Sequence, residues 1–312
     1  MVNESTRREK ISQSDYAVAG AVSGFVTRAV CQPLDVLKIR LQLQVEPISQ
    51  TSISKYRSIL QACILIRNEE GIRSFWKGHV PAQLLSIVYG GVQFWSFETL
   101  CRKANTFNLA KSYTPLVNFS SGFVAGSLAT LLSFPFDVIR TRLVAQSEKY
   151  KAYNGIINAF VKIYKSEGFP VYFRGLTPTI IQVAPHAGIQ FMCYKIFAQF
   201  YKYVFTIDEN EYTTVGSILS GSLAGLCAKT VIYPLDLTRK RMQIQGFEET
   251  RKHFGRIFSC KGMVDCIQKI YVVEGFLGLF KGLSPSLAKA VATSALHFAS
   301  YEYICLLLAD RH

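Results

Sequence analysis

Acidic and basic residues recur three times behind a proline, at one fixed spacing. The segments Pro33–Arg40, Pro135–Arg142 and Pro234–Arg241 each have an aspartate two places after the proline and a lysine or arginine three places further on. Such a pair can simply stabilise its own helix by about 0.2–0.5 kcal/mol. A threefold arrangement would instead bring charges of different repeats together. It predicts a ring of ion pairs between Asp35 and Arg140, Asp137 and Arg239, and Asp236 and Lys38.

A second set of positions breaks the threefold pattern. Five places before the three prolines stand Arg28, Thr130 and Lys229. A small asymmetric solute cannot be bound by three identical residues, so departures from repetition are where we expect a binding site. Cations in an apolar environment are costly unless they have partners, and phosphate groups form charge-assisted hydrogen bonds with them. The sequence therefore predicts an anion site at this level.

Other chemistries have little support in the sequence. The eight cysteines form no CxxC pair and have no metal-ligand spacing, so neither a disulfide framework nor a metal site is expected. No cofactor is expected either. His186 and His297 have no acid or nucleophile at a catalytic spacing. We interpret them as hydrogen-bonding residues that line a passage, and we expect no catalytic residues.

These residues belong to a unit of roughly 100 residues that occurs three times. A second marker, Glu-Gly followed by an aromatic-basic-Gly triplet, occurs in phase at 70–78, 167–175 and 274–282. In each repeat, a mostly apolar segment precedes the proline motif, which is the first marker. An apolar run long enough to span a bilayer follows the second marker. The amphipathic segments between them, at 58–69, 156–167 and 263–274, predict helices along the membrane surface.

The predicted fold is an all-α membrane protein with six transmembrane helices in three pseudo-threefold repeats and three short surface helices. Residues 1–13 are expected to form a tail, and the repeats to span 14–107, 112–206 and 210–309. Six spans place both termini on one side. Proline removes a helical hydrogen bond, so Pro33, Pro135 and Pro234 are expected to kink their helices.

Composition argues against two alternatives. Charged residues make up 18% of the chain, below the roughly 25% typical of soluble proteins, and a soluble helical solenoid would have units of about 20–50 residues. The net charge of +14 implies an anionic partner. A nucleic-acid-binding protein would concentrate its basic residues on one face or tail. Because they are dispersed over all three repeats, no nucleic-acid partner is expected.

The two tripled motifs together resemble the mitochondrial carrier family over essentially the whole chain. The resemblance implies a monomeric, multi-pass solute carrier of the inner mitochondrial membrane, with both termini in the intermembrane space and the surface helices on the matrix side. It also implies alternating access, bound lipid such as cardiolipin, and a matrix gate formed by the ring. Family members often brace this ring with glutamines, which stand here at Gln42 and Gln243, whereas the second repeat has Val144.

The resemblance further places substrate contacts on the second long helix of each repeat, at Leu85, Gln182 and Lys289, with Tyr89, His186 and Thr293 one turn along. Arg28, Lys229 and Lys289 are expected to clamp a pyrophosphate, while Leu85, Tyr89 and Val183 offer a face for a heteroaromatic ring.

Within the family, the segments 76–83 and 280–286 are similar to those of members that carry thiamine pyrophosphate. That phosphorylated solute, exchanged for nucleotides, is the expected substrate. Adenine nucleotide or coenzyme A is the alternative.

At the end of the bundle opposite the matrix gate, the sequence departs from the family pattern. Carriers usually close that side with aromatic-acid-x-x-base motifs, and the matching places hold Glu98, Lys195 and Glu302, with no base at the third place after any of them. Only Lys195 could meet an acid, and exposed ion pairs contribute about 0–1 kcal/mol each. The outer latch is therefore expected to be weak and the resting carrier to favour the outward-open state.

Overall fold

A computed structural model describes residues 12–46, 48, 54–106, 110–148, 151–205, 214–247 and 259–309. Most of the predicted N-terminal tail lies outside these residues. The described elements are helical, and their order repeats three times along the chain.

Each repeat contains a long helix, a short helix and a second long helix. The first repeat has α1 (Gln13–Leu43), α2 (Ile59–Glu70) and α3 (His79–Thr106); the second has α4 (Ala110–Ala145), α5 (Ile156–Glu167), α6 (Leu176–Ile181) and α7 (Val183–Phe205); the third has α8 (Thr214–Gln243), α9 (Met263–Gly278) and α10 (Leu283–Ala309). Short 3-10 helices, Ile72–Trp76 and Phe169–Phe173, follow α2 and α5. The predicted architecture is confirmed.

The second long segment of repeat 2 differs from the prediction of one continuous helix, because it is divided at Gln182 into α6 and α7. Pro185 has no amide hydrogen and cannot donate to the carbonyl of Ile181, four residues earlier. The helix is interrupted at that turn, and Gln182 lies at the break.

The repeats close into a ring of helices. Helix α10 packs along α1, α3 along α4, and α7 along α8, so each of these pairs joins two different repeats. Helices α1, α4 and α8 also contact one another, and they run without interruption through Pro33, Pro135 and Pro234. The proline motifs are thereby brought to a common centre.

The surface of the bundle is apolar and its interior is polar. Phe94, Phe191 and Phe298, on α3, α7 and α10, are 73%, 71% and 69% exposed, whereas Arg40, Arg142 and Arg241 are fully buried. Large exposed apolar surfaces of this kind mark membrane contact. Three described helical segments are long and apolar enough to cross a membrane, namely Val117–Ala145, Val215–Gln243 and Leu283–Ala309.

The glycine that ends each aromatic-basic-Gly triplet lies at a close contact between two repeats. Gly78, Gly175 and Gly282 have φ values of +73°, +89° and +81°, a region that favours glycine. A Cβ on Gly175 would lie 2.9 Å from the carbonyl oxygen of Arg239, in the third repeat. These glycines therefore combine an unusual backbone conformation with a close approach between repeats.

The glycines spaced four apart near the start of the proline-containing helices behave differently. A Cβ on Gly20 or Gly24 would meet nothing within 4 Å, and at Gly122, Gly126, Gly221 and Gly225 it would meet a side-chain atom only at 4.0 Å. Glycines at this spacing often mark close helix contacts in membranes, but here each position leaves room for a Cβ.

Replacing Gly175 by alanine should destabilise the bundle. Gly175 is left-handed, with φ of +89° and ψ of 9°, so alanine there meets backbone strain of about 1–3 kcal/mol. The close approach to Arg239 should add an overpacking cost of about 1–3 kcal/mol. As a control, Gly188→Ala lies within α7, where an added Cβ meets nothing within 4 Å, and should not lower the melting temperature. Thermal unfolding of the purified variants in detergent measures both, and a Gly175→Ala melting temperature no lower than that of Gly188→Ala would contradict the proposed contact.

Candidate functional site

A ring of ion pairs lies where α1, α4 and α8 meet, in the pairings that the threefold pattern predicts. The nitrogen to oxygen distances are 2.5 Å for Arg140 and Asp35, 2.8 Å for Arg239 and Asp137, and 2.6 Å for Lys38 and Asp236. We call these six residues the charge ring. Each pair joins two repeats, so the ring holds this end of the bundle closed.

Two glutamines contact the ring at the places where the family has braces. Gln243 Nε2 donates to Asp137 Oδ2 at 2.5 Å, and Gln42 Nε2 donates to Asp236 Oδ2 at 3.2 Å. Val144 at the third place is buried in an apolar cluster instead. The side chains of both glutamines are fully buried, so their bonds to the acids are shielded from water.

Two further lysines contact the ring aspartates. Lys289 Nζ lies 2.6 Å from Asp35 Oδ1, and Lys240 Nζ lies 2.9 Å from Asp137 Oδ1. The described residues thus place five cations around three acids, an excess of two positive charges. Sequence reasoning assigned Lys289 to substrate and did not consider Lys240. The available signal was that Lys240 is the ionisable member of the matched set Ile39, Thr141 and Lys240.

A second layer of ion pairs explains why the two sequence markers occur together. In the first repeat, the Arg40 guanidinium donates to Glu70 Oε1 at 2.8 Å and to Oε2 at 2.7 Å. Arg142 with Glu167 and Arg241 with Glu274 make the equivalent contacts. Burial acts to raise the pKa of Glu70, but its bonds to Arg40 and Lys77 lower that pKa below the usual value. The last arginine of the first marker is therefore paired with the glutamate of the second.

The same arginines also link neighbouring repeats. Arg40 Nε donates to the carbonyl of Val144 at 3.3 Å, Arg142 Nε to that of Gln243 at 3.1 Å, and Arg241 Nε to that of Gln42 at 3.1 Å. The acceptors lie at or near the carboxyl ends of the proline-containing helices, where carbonyls lack helical donors. Sequence reasoning gave these arginines no role, because the link depends on packing between repeats.

Two cavities of about 370 Å³ each border the charge ring. Cavity A is lined by Arg28, Leu85, Tyr89, Thr130 and Phe134, with the ring residues Asp137 and Arg239. Cavity B is lined by His186, Lys229, Ile232 and Tyr233, with the ring residues Lys38 and Asp236. Gln182 and Val183, at the break between α6 and α7, line both.

Most residues predicted to contact substrate line these cavities, but the three predicted cations do not share one cavity. Arg28 lines cavity A and Lys229 cavity B, while Lys289 lines neither and is paired with Asp35. Thr293 also lines neither cavity. The single three-cation clamp is therefore not formed in this structure, because the ring aspartate holds Lys289.

The two cavity cations rest on backbone carbonyls at equivalent places. Arg28 Nη1 donates to the carbonyl of Ala82 at 2.9 Å, and Lys229 Nζ donates to that of Ser286 at 2.9 Å. A carbonyl is neutral, and among the described residues neither cation forms an ion pair. Both cations thus keep the capacity to bind an anion.

Gln182 offers a neutral acceptor between the cavities. Among the residues that the structure describes, its buried Oε1 atom has no hydrogen-bond partner. An unpaired buried acceptor costs about 1–3 kcal/mol, so a ligand that donates to Gln182 would recover this energy.

The end of the bundle opposite the ring has little to close it. Glu98 pairs with Arg102 on its own helix at 2.7 Å, with 54% and 77% of the two side chains exposed. Within the described ranges, neither Lys195 nor Glu302 has an ion-pair partner. The residues predicted for an outer latch therefore form no bond between repeats, and cavities A and B lie on the open side of a closed ring.

A cysteine in place of the exposed Gln93, on the open side of α3, should react readily with a membrane-impermeant thiol reagent when no substrate is present. The background is a chain without its native cysteines. As a control, a chain that retains Cys31 alone, which is 2% exposed, should react slowly. Labelling of the Gln93→Cys chain that is slow and accelerates on adding substrate would contradict an open resting state.

Comparison with known proteins follows the same threefold division. The profile of the family described as "Mitochondrial carrier protein" matches residues 9–107, 111–204 and 210–312. The human "Mitochondrial thiamine pyrophosphate carrier" is 47% identical over 290 residues, which cover 93% of this chain and 90% of the relative. The bovine protein of that name is 45% identical, with coverages of 95% and 93%. The "Mitochondrial thiamine diphosphate carrier 2" of Zea mays is 39% identical, with 92% of each chain covered.

Proposed function

Because the chain belongs to the mitochondrial carrier protein family, a family of transporters, we propose that it carries thiamine pyrophosphate across the inner mitochondrial membrane by alternating access. The observation that carries the proposal is the pair of cavities joined at Gln182, each containing a cation that rests on a carbonyl. The similarity to thiamine pyrophosphate carriers supports this substrate.

The two cavities suit the two ends of this molecule. Cavity B offers Lys229, Lys38 and His186, which suit a pyrophosphate because charged donors bind phosphate oxygens strongly. Cavity A offers Tyr89, Leu85 and Phe134, which suit stacking and apolar contact with a heteroaromatic ring. Gln182 Oε1 between them would accept a hydrogen bond from the amino group of the pyrimidine. Each volume is within the range of about 300–1,000 Å³ usual for ligand pockets.

The charge ring is the gate on the matrix side in this proposal. Four of its members line the cavities: Asp137 and Arg239 in cavity A, and Lys38 and Asp236 in cavity B. A bound pyrophosphate would compete with the ring aspartates for their cations. Substrate can shift the equilibrium between states only through such differential interactions. Substrate binding would therefore loosen the closed side, while Gln42 and Gln243 hold it in the empty carrier.

The remaining features of the carrier are proposed on the family resemblance. They are a monomer in the inner membrane, both termini in the intermembrane space, bound lipid such as cardiolipin, and exchange of thiamine pyrophosphate for nucleotides. The apolar outer surface of the bundle supports integral insertion. An integral carrier should stay with inner membranes washed in carbonate, and its release would overturn this placement.

Carriage of another polyphosphate, such as adenine nucleotide or coenzyme A, is the alternative, since the same cations suit any of them. Ligand-induced thermal stabilisation of the purified protein separates the two. Thiamine pyrophosphate at a hundred times its Kd should stabilise the folded state by about 2.7 kcal/mol. Thiamine, which lacks phosphate, should do so much less, and Lys229→Gln should reduce the effect. A larger shift with coenzyme A or ADP would favour the alternative.

A further inference from the structure

Lys240 carries a charge that the matched positions of the other repeats lack. The residue before the last arginine of the proline motif is Ile39 in the first repeat, Thr141 in the second and Lys240 in the third. Ile39 is buried in an apolar cluster. Lys240 is equally enclosed, with 6% of the residue exposed. A buried ammonium is costly unless an acid and further acceptors surround it.

The acceptors around Lys240 belong largely to the neighbouring repeat. Its Nζ atom lies 2.9 Å from both carboxylate oxygens of Asp137 and 3.0 Å from the Thr141 hydroxyl, both on α4. A fourth acceptor, Gln243 Oε1 at 3.0 Å, lies on its own helix. The ammonium therefore ties α8 to α4 through the same aspartate that Arg239 contacts.

This makes the contact between repeats 2 and 3 different from the others. Asp137 accepts from Arg239, Lys240 and Gln243, all on α8. Asp236, which joins repeats 3 and 1, accepts from Lys38 and Gln42. Asp35 accepts from Arg140 on α4 and from Lys289 on α10, so its donors lie on two helices. The side chains of Lys240 and Asp137 are 7% and 5% exposed, those of Arg140 and Asp35 10% and 6%, and those of Lys38 and Asp236 14% and 20%. Charge pairs interact more strongly where water is excluded.

We propose that Lys240 is an additional gate residue, which holds repeats 2 and 3 together at the charge ring through Asp137. It acts on the opening of the gate rather than on the solute, and lines neither cavity A nor cavity B. The inference rests on the alternating access proposed above, but its test needs no substrate.

Removing this charge should leave the fold intact. Asp137 would keep its bonds from Arg239 and Gln243, and Gln243 Oε1 would still accept from the Thr141 hydroxyl at 2.7 Å. Lys240→Met retains the length of the side chain. Of the acceptors around Lys240, only Asp137 Oδ1 loses its donor among the described residues, so the variant removes the ion pair together with this hydrogen bond.

The experiment uses Ser133→Cys as a reporter, because Ser133 is buried, lines cavity A and stands one turn before Asp137. A membrane-impermeant thiol reagent is applied to the ring side of oriented proteoliposomes, and labelling of the matching chain without the new cysteine is subtracted. Lys240→Met should raise the labelling rate about tenfold, as expected for the loss of one charged hydrogen bond. Lys269→Met removes a lysine from an exposed pair with Asp265 in the same repeat and should change nothing.

A second arm asks whether the effect acts through Asp137. In an Asp137→Asn chain, Lys240→Met should change labelling less than about twofold, since the shared partner is gone. Should Lys240→Met fail to fold, Lys240→Gln replaces it in both arms. The proposal is overturned if Lys240→Met labels like Lys269→Met while Lys38→Met raises the rate. If Lys38→Met also has no effect, the charge ring is not a gate. The proposed role of Lys240 and the proposed role of the ring then both fail, whatever solute binds.

Discussion

Charge reversal at the ring, Asp236→Lys, is expected to abolish most uptake. The change removes the partner of Lys38 at 2.6 Å and places a second cation beside it, where the side chains are only 14% and 20% exposed. Breaking a buried ion pair typically costs about 3–5 kcal/mol. This pair is partly hydrated, so the cost should be smaller than for a fully buried pair. We expect the transport rate to fall at least about tenfold.

Pairing Asp236→Lys with Lys38→Asp should recover part of the loss, because the bond is restored with its polarity exchanged. Recovery should be incomplete, since Gln42 would face a cation instead of the aspartate to which it donates at 3.2 Å. Asp265→Lys makes the same charge change in an exposed pair and should leave uptake near that of the unmodified protein. A double variant no better than the worse single variant would show that these two residues are not functional partners.

Removal of a cavity cation is expected to have the second large effect. Lys229→Ala should lose a charge-assisted contact with the pyrophosphate, and Arg28→Ala a charged hydrogen bond to a ring nitrogen of the heteroaromatic end. Each contact contributes about 1.5–3 kcal/mol, which is tenfold or more in affinity. Lys289→Ala should also abolish most uptake, whereas Lys289→Arg should hurt less. The exposed Lys103 on α3 provides the control, since Lys103→Ala removes a charge that touches neither cavity.

The route by which Lys289→Ala acts should differ from that of the cavity cations. Lys289 is paired with Asp35 and lines neither cavity, so its removal should act by loosening the ring. KM should rise in Arg28→Ala and Lys229→Ala with the protein still folded in detergent, while Lys289→Ala should raise ring-side labelling. Unchanged uptake in Arg28→Ala and Lys289→Ala would remove both residues from the site.

The repeats and the ring pairings could be predicted because they follow from local spacing alone. Identical segments of Pro-x-Asp-x-x-base type adopt the same helix, and threefold closure then leaves each aspartate one natural partner. The short helices α2 and α5 were predictable from their apolar spacing for the same reason. The third predicted segment, 263–274, likewise ends where the helical geometry does, because Gly275 follows with φ of 73°.

The arrangement of the binding site depends on contacts between repeats, which sequence spacing does not encode. Arg28, Lys229 and Lys289 are all basic, but the structure divides them between two cavities and an aspartate of another repeat. Pro185 alone does not predict the break at Gln182, because other prolines lie within helices that continue; the break, and the residue that both cavities share as a result, required the packed bundle. The role of Lys240 could not be predicted either, because its contact with Asp137 depends on the packing of α8 against α4.

The most direct test of the account is uptake of labelled thiamine pyrophosphate into liposomes that contain the purified protein. This uptake is expected to be saturable and to exceed uptake of thiamine. It should accelerate when the liposomes are preloaded with thiamine pyrophosphate or a nucleotide, and it should be lost in Asp236→Lys. No uptake above that of protein-free liposomes, with adenine nucleotide or coenzyme A entering the same vesicles, would contradict the proposed function.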